Sequence, residues 1–266
     1  MDPELYSQVK INIKKLLNID LTYYKDEQMK RRLDSWLVRA GLPSWDLYFS
    51  KIKSDDDELI KFRNYLTINV TEFFRDIERW NFLRDQIIPD LLSSLSQDRI
   101  PRKSLKVWSA GCSVGVEAYS LAILLNESFH QSEAAILATD LDRGALQKAM
   151  KRGPYSVDET KNLTNHQRST YFEPGGPPYF VNSKIASKIK FMEQNLLQDA
   201  FDTGFDLIVC RNVVIYFTQE AKDILYHKFN NALRPGGVLF LGGTEIIPKP
   251  QEFGFRNRGI SFYIKG

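Results

Sequence analysis

From Leu105 to the C-terminus, six short apolar runs ("LKVWSA", "AILATD", "KIKFME", "FDLIVC", "VLFLGG" and "ISFYIK") alternate with stretches of helical pattern. Strand-length runs separated by helices predict an α/β fold: a mainly parallel sheet covered by helices. The alternation lapses between about residues 153 and 188. There "GPYSVDETKNLTNHQRSTYFEPGGPPYFVNSKIASK" is rich in turn formers and carries two small aromatic clusters, which predict a small insertion with short strands. Upstream of Leu105 the texture is helical. Leu5, Val9, Ile13, Leu16 and Leu17 share one helical face, as do Met29, Leu33, Trp36, Leu37 and Ala40, and Gly41 and Pro43 stop the second helix. "SDDDEL" has the acidic residues of a helix start. A further helix is predicted from about Thr71 through Trp80 to Ile87, broken or bent at Pro89, and "SSLSQDRIPRKS" reads as a linker. The expected division is a helical domain over 1–75, a connecting helix and linker over 76–104, and the sheet domain over 105–266.

Composition narrows the class of function mainly by exclusion. With 266 residues, 43% hydrophobic and 26% charged, the chain has the make-up of an ordinary globular protein, and a net charge of +3 gives no reason to expect nucleic acid as a partner. "MDPELYSQVK" has no apolar signal core, and no run approaches membrane-spanning length. Cys112 and Cys210 do not make a disulfide framework, and three scattered histidines (His130, His166, His227) argue against a metal cluster. These features predict a reduced, cytoplasmic protein without a metal and without membrane insertion.

The stretch "LKVWSAGCSVGVEAYSLAILL" is a strand, a turn of small residues and a helix, in the order that opens a nucleotide-binding domain. The turn does not spell G-x-G-x-x-G. In a doubly wound sheet ligands lie beyond the carboxyl ends of the strands, where strand order reverses. Gly111, Ser113 and Gly115 let a ligand approach the backbone closely. Asp140, at the end of the next strand, suits the two hydroxyls of a ribose. Glu117 falls in the first turn of the helix, where a dinucleotide would set its pyrophosphate and an acid would repel it. An acid there suits a ligand with a cationic amino group. S-adenosylmethionine has an adenosine, an amino acid and no phosphate, so the loop favours that methyl donor over NAD. "FDLIVCRNVVIYF" then runs from a strand into a polar pair, Arg211 and Asn212, followed by Tyr216 and Phe217.

At "NVTEFFRD" the chain resembles a family. Asn69, Thr71, Phe73, Phe74 and Arg75 match the N-x-T-x-F-F-R signature of the CheR-type chemotaxis receptor methyltransferases. "WSAGCSVGVEAYSLA" resembles that family's first cofactor motif, "ATDLD" its ribose strand, "NLL" from Asn195 its adenine segment and "CRNVVIYF" its fourth-strand signature. The matches occur in order across almost the whole chain. The first motif departs from the usual G-C-S-T-G-E-E-P-Y at Val114, Val116 and Ala118 and keeps the second Glu as Glu117.

The resemblance implies a class I S-adenosylmethionine-dependent methyltransferase: a Rossmann-like, mostly parallel seven-stranded sheet, a small all-α N-terminal domain and a small antiparallel β insertion. It implies methylation of glutamate side chains on the cytoplasmic helical bundle of a chemoreceptor, with S-adenosylhomocysteine as product. By motif, Asn69, Thr71, Arg75, Glu117, Asp140, Asn195, Leu196, Arg211 and Asn212 would line the cofactor site, with Arg75 and Tyr216 nearest the methyl and the incoming carboxylate. Lys30, Arg31 and Arg32, together with the insertion, would meet the receptor, and the enzyme would act as a monomer. Three alternatives stand beside this: a methyltransferase with a different acceptor, a cofactor-binding signalling adaptor without activity, and a dehydrogenase.

Overall fold

The structure, a computed structural model, describes residues 1–66, 71–97, 104–129 and 134–266. Its contacts divide the chain into two compact units: Met1–Ile68 with Tyr216–Asp223, and Asn69–Ile215 with Ile224–Gly266.

The first unit contains helices α1 (Pro3–Leu17), α2 (Asp26–Arg39), α3 (Trp45–Ile52) and α4 (Asp56–Leu66). Asp2 caps α1 and Ser44 caps α3, each side chain accepting a backbone N–H of the first turn. The buried stripe of α1 is Tyr6, Val9, Ile13 and Leu17, while Leu5 lies on the exposed side of that stripe. An aromatic cluster forms the centre. Trp36 stacks on Phe62 at 5.4 Å, and Trp45 packs against Tyr48, Phe49 and Phe62. As the acidic run predicts, Asp55 caps α4 by accepting the Glu58 N–H at 2.9 Å.

The second unit is built on strands β1 (Lys106–Ala110), β2 (Ala135–Asp140), β3 (Ile189–Glu193), β4 (Phe205–Cys210), β5 (Leu233–Leu241), β6 (Phe255–Gly259) and β7 (Phe262–Lys265). They form one seven-stranded sheet in the order β3-β2-β1-β4-β5-β7-β6. The first five are parallel, and β7 runs antiparallel to both β5 and β6. Strand β4 is buried at every position, as a central parallel strand must be. Helices α5 (Ile77–Phe82) and α6 (Ile88–Gln97) precede β1, while α7 (Val116–Phe129), α8 (Arg143–Met150) and α11 (Gln219–Ala232) lie between strands in the chain. Strand order reverses between β1 and β4, so their carboxyl ends open the crevice where this kind of sheet binds ligands.

Three local expectations are revised. The helix predicted from Thr71 starts at Ile77, and Pro89 does not break it. A π-helical turn over Leu83–Ile87 ends just before α6, and Pro89 lies in the first turn of α6, where a missing N–H is tolerated. The stretch "LRPGGVLFLGGTE" reads as a helix ended by Pro-Gly-Gly and followed by a buried strand, yet "RPGG" lies inside β5. There the pairing with β4 shifts register after Phe205, and Gly237 has no room for a Cβ, which would meet the carbonyls of Arg234 and Phe205 at 2.9 Å. Between α8 and β3 the antiparallel pairing consists of single bridges, Tyr155 with Tyr179 and Phe172 with Val181, beside the short helices α9 (Asn165–Tyr171) and α10 (Ser183–Ala186). No helix among the described residues is long and apolar enough to cross a membrane.

Candidate active site

The turn after β1 is lashed to the neighbouring strand. The N–H groups of Gly111 and Cys112 both donate to the carbonyl of Thr139, at 2.8 and 2.9 Å, and the Ser113 N–H donates to Asp140 Oδ2 at 2.7 Å. Gly111 and Gly115 have φ of +82° and +87°. A Cβ on Gly111 would lie 2.5 Å from a methyl of Val213, and one on Gly115 would lie 2.7 Å from the Ala149 Cβ. Conformation and space therefore both demand glycine at these two positions. From the α8–β3 segment, the hydroxyl of Tyr155 donates to the Val114 carbonyl at 2.7 Å.

Two carboxylates flank this turn. Glu117 projects from the first turn of α7 and accepts the Ser109 hydroxyl at 2.8 Å. Burial pushes its pKa up to about 7, against the opposing pull of the Arg211 charge and the Ser109 hydrogen bond. Asp140 ends β2 and accepts the Asp142 N–H on its other oxygen at 2.8 Å. Burial raises it to about 6, opposed by the backbone N–H groups of Asp142 and Ser113. Both residues retain part of their surface. A carboxylate has about four acceptor positions, so each has capacity left for a ligand's donors. No cluster of His, Cys, Asp or Glu suited to a metal occurs among the described residues.

At the end of β4, Arg211 is buried and pairs with Asp76 through Nη2 at 2.6 Å. Its guanidinium lies 4.9 Å from the centre of the Phe240 ring and 5.8 Å from that of Trp80. Its Nε is buried with no protein partner among the described residues. Burial lowers the pKa of Arg211, opposed most strongly by Glu117. Asn212 takes a left-handed φ of +60°. Glu245 holds it there. This buried carboxylate accepts the N–H of Asn212 at 2.8 Å, of Gly242 at 2.6 Å and of Ile215 at 3.2 Å. Sequence reasoning missed Glu245. The available signal was an acid closely following a Gly-Gly pair at the end of a buried strand, in "GGTE".

Arg75 is half-exposed between two left-handed residues, Phe74 (φ +49°) and Asp76 (φ +59°), and its carbonyl accepts the indole N–H of Trp80 at 2.9 Å. The Phe74 N–H donates to Ser120 of α7 at 3.0 Å. Thr71 is half-buried at the start of this loop, and Asn69 lies outside the described residues. Beyond β3, the Gln194 N–H donates to the Asp140 carbonyl, which keeps the next residues near that acid. Asn195 caps the turn through the Leu197 N–H at 3.0 Å, and Leu196 is buried. The structure thus gathers Glu117, Asp140, Arg211 and Asn212 at the carboxyl ends of β1, β2 and β4. Asn195 and Leu196 flank Asp140, and Asp76 ties the Arg75 loop to Arg211. Tyr216 falls in the helical unit, where its carbonyl accepts the Lys25 N–H at 3.0 Å. In the same unit Arg31 is exposed, Lys30 lies over Tyr6, and half-buried Arg32 donates to the Tyr65 carbonyl and lies over that ring.

These residues fit S-adenosylmethionine. Beside the turn after β1, Glu117 has acceptor capacity left for an ammonium and Asp140 for the hydroxyls of a ribose. Fold and site together define an S-adenosylmethionine-dependent methyltransferase. The chain belongs to the CheR methyltransferase family: that family's SAM binding domain matches residues 69–262 and its all-alpha domain residues 4–67. The chain is 42% identical over 253 residues to a chemotaxis protein methyltransferase of Listeria monocytogenes, covering 95% of this chain and 94% of that one. It is 30% identical over 254 residues to chemotaxis protein methyltransferase Cher2 of Pseudomonas putida, covering 91% and 90%. Among solved structures, a TehB-like SAM-dependent methyltransferase of Corynebacterium glutamicum is 17% identical, covers 71% of this chain and 92% of its own, and has a TM-score of 0.37, too low to add weight.

Proposed function

We propose that this methyltransferase acts in chemotaxis and esterifies glutamate side chains on the cytoplasmic helical bundle of a chemoreceptor, releasing S-adenosylhomocysteine. The observation that carries the reading is Arg75, a cation tied through Asp76 to the Arg211 end of the cofactor crevice. A cation there suits an anionic acceptor. Glutamate has a pKa of about 4.3 and is already ionised near neutrality, so no general base is needed. The bound cofactor supplies a methyl group on a sulfonium centre. What the chain supplies is alignment and exclusion of water, which together are worth roughly 7–11 kcal/mol in favourable cases.

Glu117 takes the amino group of the cofactor and Asp140 its ribose. Thr71, Asn195, Leu196, Arg211 and Asn212 complete the cofactor site, together with Asn69. Arg75 orients the acceptor carboxylate through paired N–H groups without holding it tightly, because the carboxylate loses its charge on becoming an ester. Tyr216 assists that orientation, an assignment that rests on the family resemblance. The helical domain of 1–75 meets the receptor through Lys30, Arg31 and Arg32, adding orientation and on-rate more than affinity. The sheet domain of 105–266 carries the chemistry and its insertion adds a second receptor contact. The enzyme works as a monomer in the cytoplasm, where the receptor bundle lies.

The test is transfer of labelled methyl from S-adenosylmethionine to a chemoreceptor cytoplasmic fragment, followed by mild base. Label released as volatile methanol identifies a carboxyl ester. Label that remains on the fragment would mean an N-linked or stable O-linked methyl and would end the glutamate reading.

A further inference from the structure

Phe73, two residues before Arg75, is held at its N–H, carbonyl and ring by the segment between α8 and β3. Its N–H donates to the Glu159 carbonyl at 2.9 Å, and its carbonyl accepts the Asn162 side-chain amide at 3.0 Å. Its ring is fully buried, with the rings of Tyr155 and Phe172 each at 5.3 Å. The preceding residue, Glu72, pairs with Lys161 at 2.5 Å.

The acceptor on Glu159 is itself fixed. One oxygen of its side chain accepts the Ser156 N–H at 2.8 Å, and the other pairs with Lys148 at 2.7 Å. The same segment reaches the cofactor turn through Tyr155 and Val114. Two residues of chain span about 7 Å at most, and Phe74 is confined to a left-handed conformation, so a shift at Phe73 passes to Arg75 with little slack.

We propose that Asn162 is a positioning residue for methyl transfer: through Asn162 and the Glu159 carbonyl, the α8–β3 segment fixes the loop that presents Arg75. The inference rests on the acceptor-orienting role proposed for Arg75. Asn162 is half-buried and holds the loop through the Phe73 carbonyl, while Glu117, Asp140 and Asn212 are held by other groups, so its truncation acts first on the loop.

The experiment compares wild type, Asn162→Ala, Arg75→Ala and the double variant in the full chain. It reads methyl transfer to the receptor fragment, S-adenosylhomocysteine affinity, and amide exchange over residues 71–82. Asn162→Ala is expected to lower kcat about 5- to 30-fold, since small misplacements of an orienting group are costly. S-adenosylhomocysteine affinity should fall by less than the rate, because the loosened loop carries Thr71 alongside Arg75, while Glu117, Asp140 and Asn212 are held by other groups. Exchange should quicken over residues 71–82 and not over α7. In the Arg75→Ala background the Asn162 substitution should have no further effect on rate.

Unchanged exchange over 71–82, or an equal loss of rate in both backgrounds, would overturn the inference. If Arg75→Ala alone left the rate intact, the role proposed for Arg75 would fall instead. If the fragment accepted no methyl from wild type, the acceptor reading would fall, while exchange would still decide whether Asn162 holds the loop.

Discussion

Glu117 is half-ionised near pH 7, because burial disfavours its charge more than Arg211 and Ser109 favour it. The folded carboxyl holds its proton more tightly than the unfolded one, whose pKa is about 4.3. Its contribution to folding is therefore fully present below the unfolded value and is lost as pH rises towards 7 in the free protein. A ligand ammonium set against Glu117 reverses the balance by favouring the carboxylate. S-adenosylhomocysteine binding at pH 6.5 should then release a fraction of a proton and tighten as pH rises towards 7.5. Calorimetry in two buffers of different ionisation enthalpy measures that release directly. Glu117→Gln should cut it to the smaller share left by Asp140, whose pKa is raised to about 6, and weaken binding about 10- to 100-fold, the range for a charge-assisted hydrogen bond. Proton uptake, or a release unchanged by the substitution, would remove Glu117 from the amino-group site.

Between elements, the determining feature is a staple across the loops that follow β4 and β5. Glu245 joins the N–H groups of Asn212 and Ile215 after β4 to that of Gly242 after β5, and a Cβ on Gly242 would lie 2.5 Å from its Oε2. Glu245→Ala would strand three N–H groups. The expected cost is about 2–4 kcal/mol in urea unfolding, because only Gly242 is buried, at 1–3 kcal/mol for a group left unpaired, while Asn212 and Ile215 are partly open to water. S-adenosylhomocysteine binding should weaken as Asn212 relaxes from its left-handed conformation. Full stability with normal affinity would show that the staple is dispensable.

Such a staple is hard to read in advance, because it joins residues 33 positions apart through backbone groups that every residue carries. What the sequence does display is periodicity and strand ends. The six apolar runs correspond to β1–β5 and β7, and the placement of Glu117 and Asp140 beside the turn was legible from "GCSVGVE" and "ATD". Strand β6 was not, since "FRNRG" is an exposed edge whose side chains give no apolar signal. In the sequence, Pro235, Gly236 and Gly237 spell a helix terminator for a related reason. Local propensity forbids a strand there, and only the shifted pairing with β4 permits it. The anchoring of Phe73 by Glu159 and Asn162 leaves no local signal because it depends on contacts between segments some 90 residues apart.

Across the sheet unit as a whole, the two ends of the strands carry charge for different purposes. The carboxyl ends gather Glu117, Asp140, Arg211 and Glu245 around the crevice, where burial leaves acids with raised pKa values. At the opposite end, Asp206 at the start of β4 is fully buried. It accepts Arg234 Nε at 2.6 Å and the Lys106 N–H at 2.6 Å, so one carboxylate joins the beginnings of β4, β5 and β1. Arg234 is satisfied in turn by Ser94 at 2.5 Å and the Pro235 carbonyl at 2.7 Å. Asp206 and Arg234 are buried and satisfied by protein groups, so this pair acts on stability. Arg234→Met keeps most of the volume but leaves Asp206 buried without its cation, a change that costs about 3–5 kcal/mol. Urea unfolding should show that loss, while S-adenosylhomocysteine affinity, measured where the variant is still folded, should remain within about twofold of wild type, because a site at the far end of the strands shares no partners with the pair. Reduced affinity at unchanged stability would mean that the two ends of the sheet are coupled, and that its buried charges cannot be divided between folding and binding in this way.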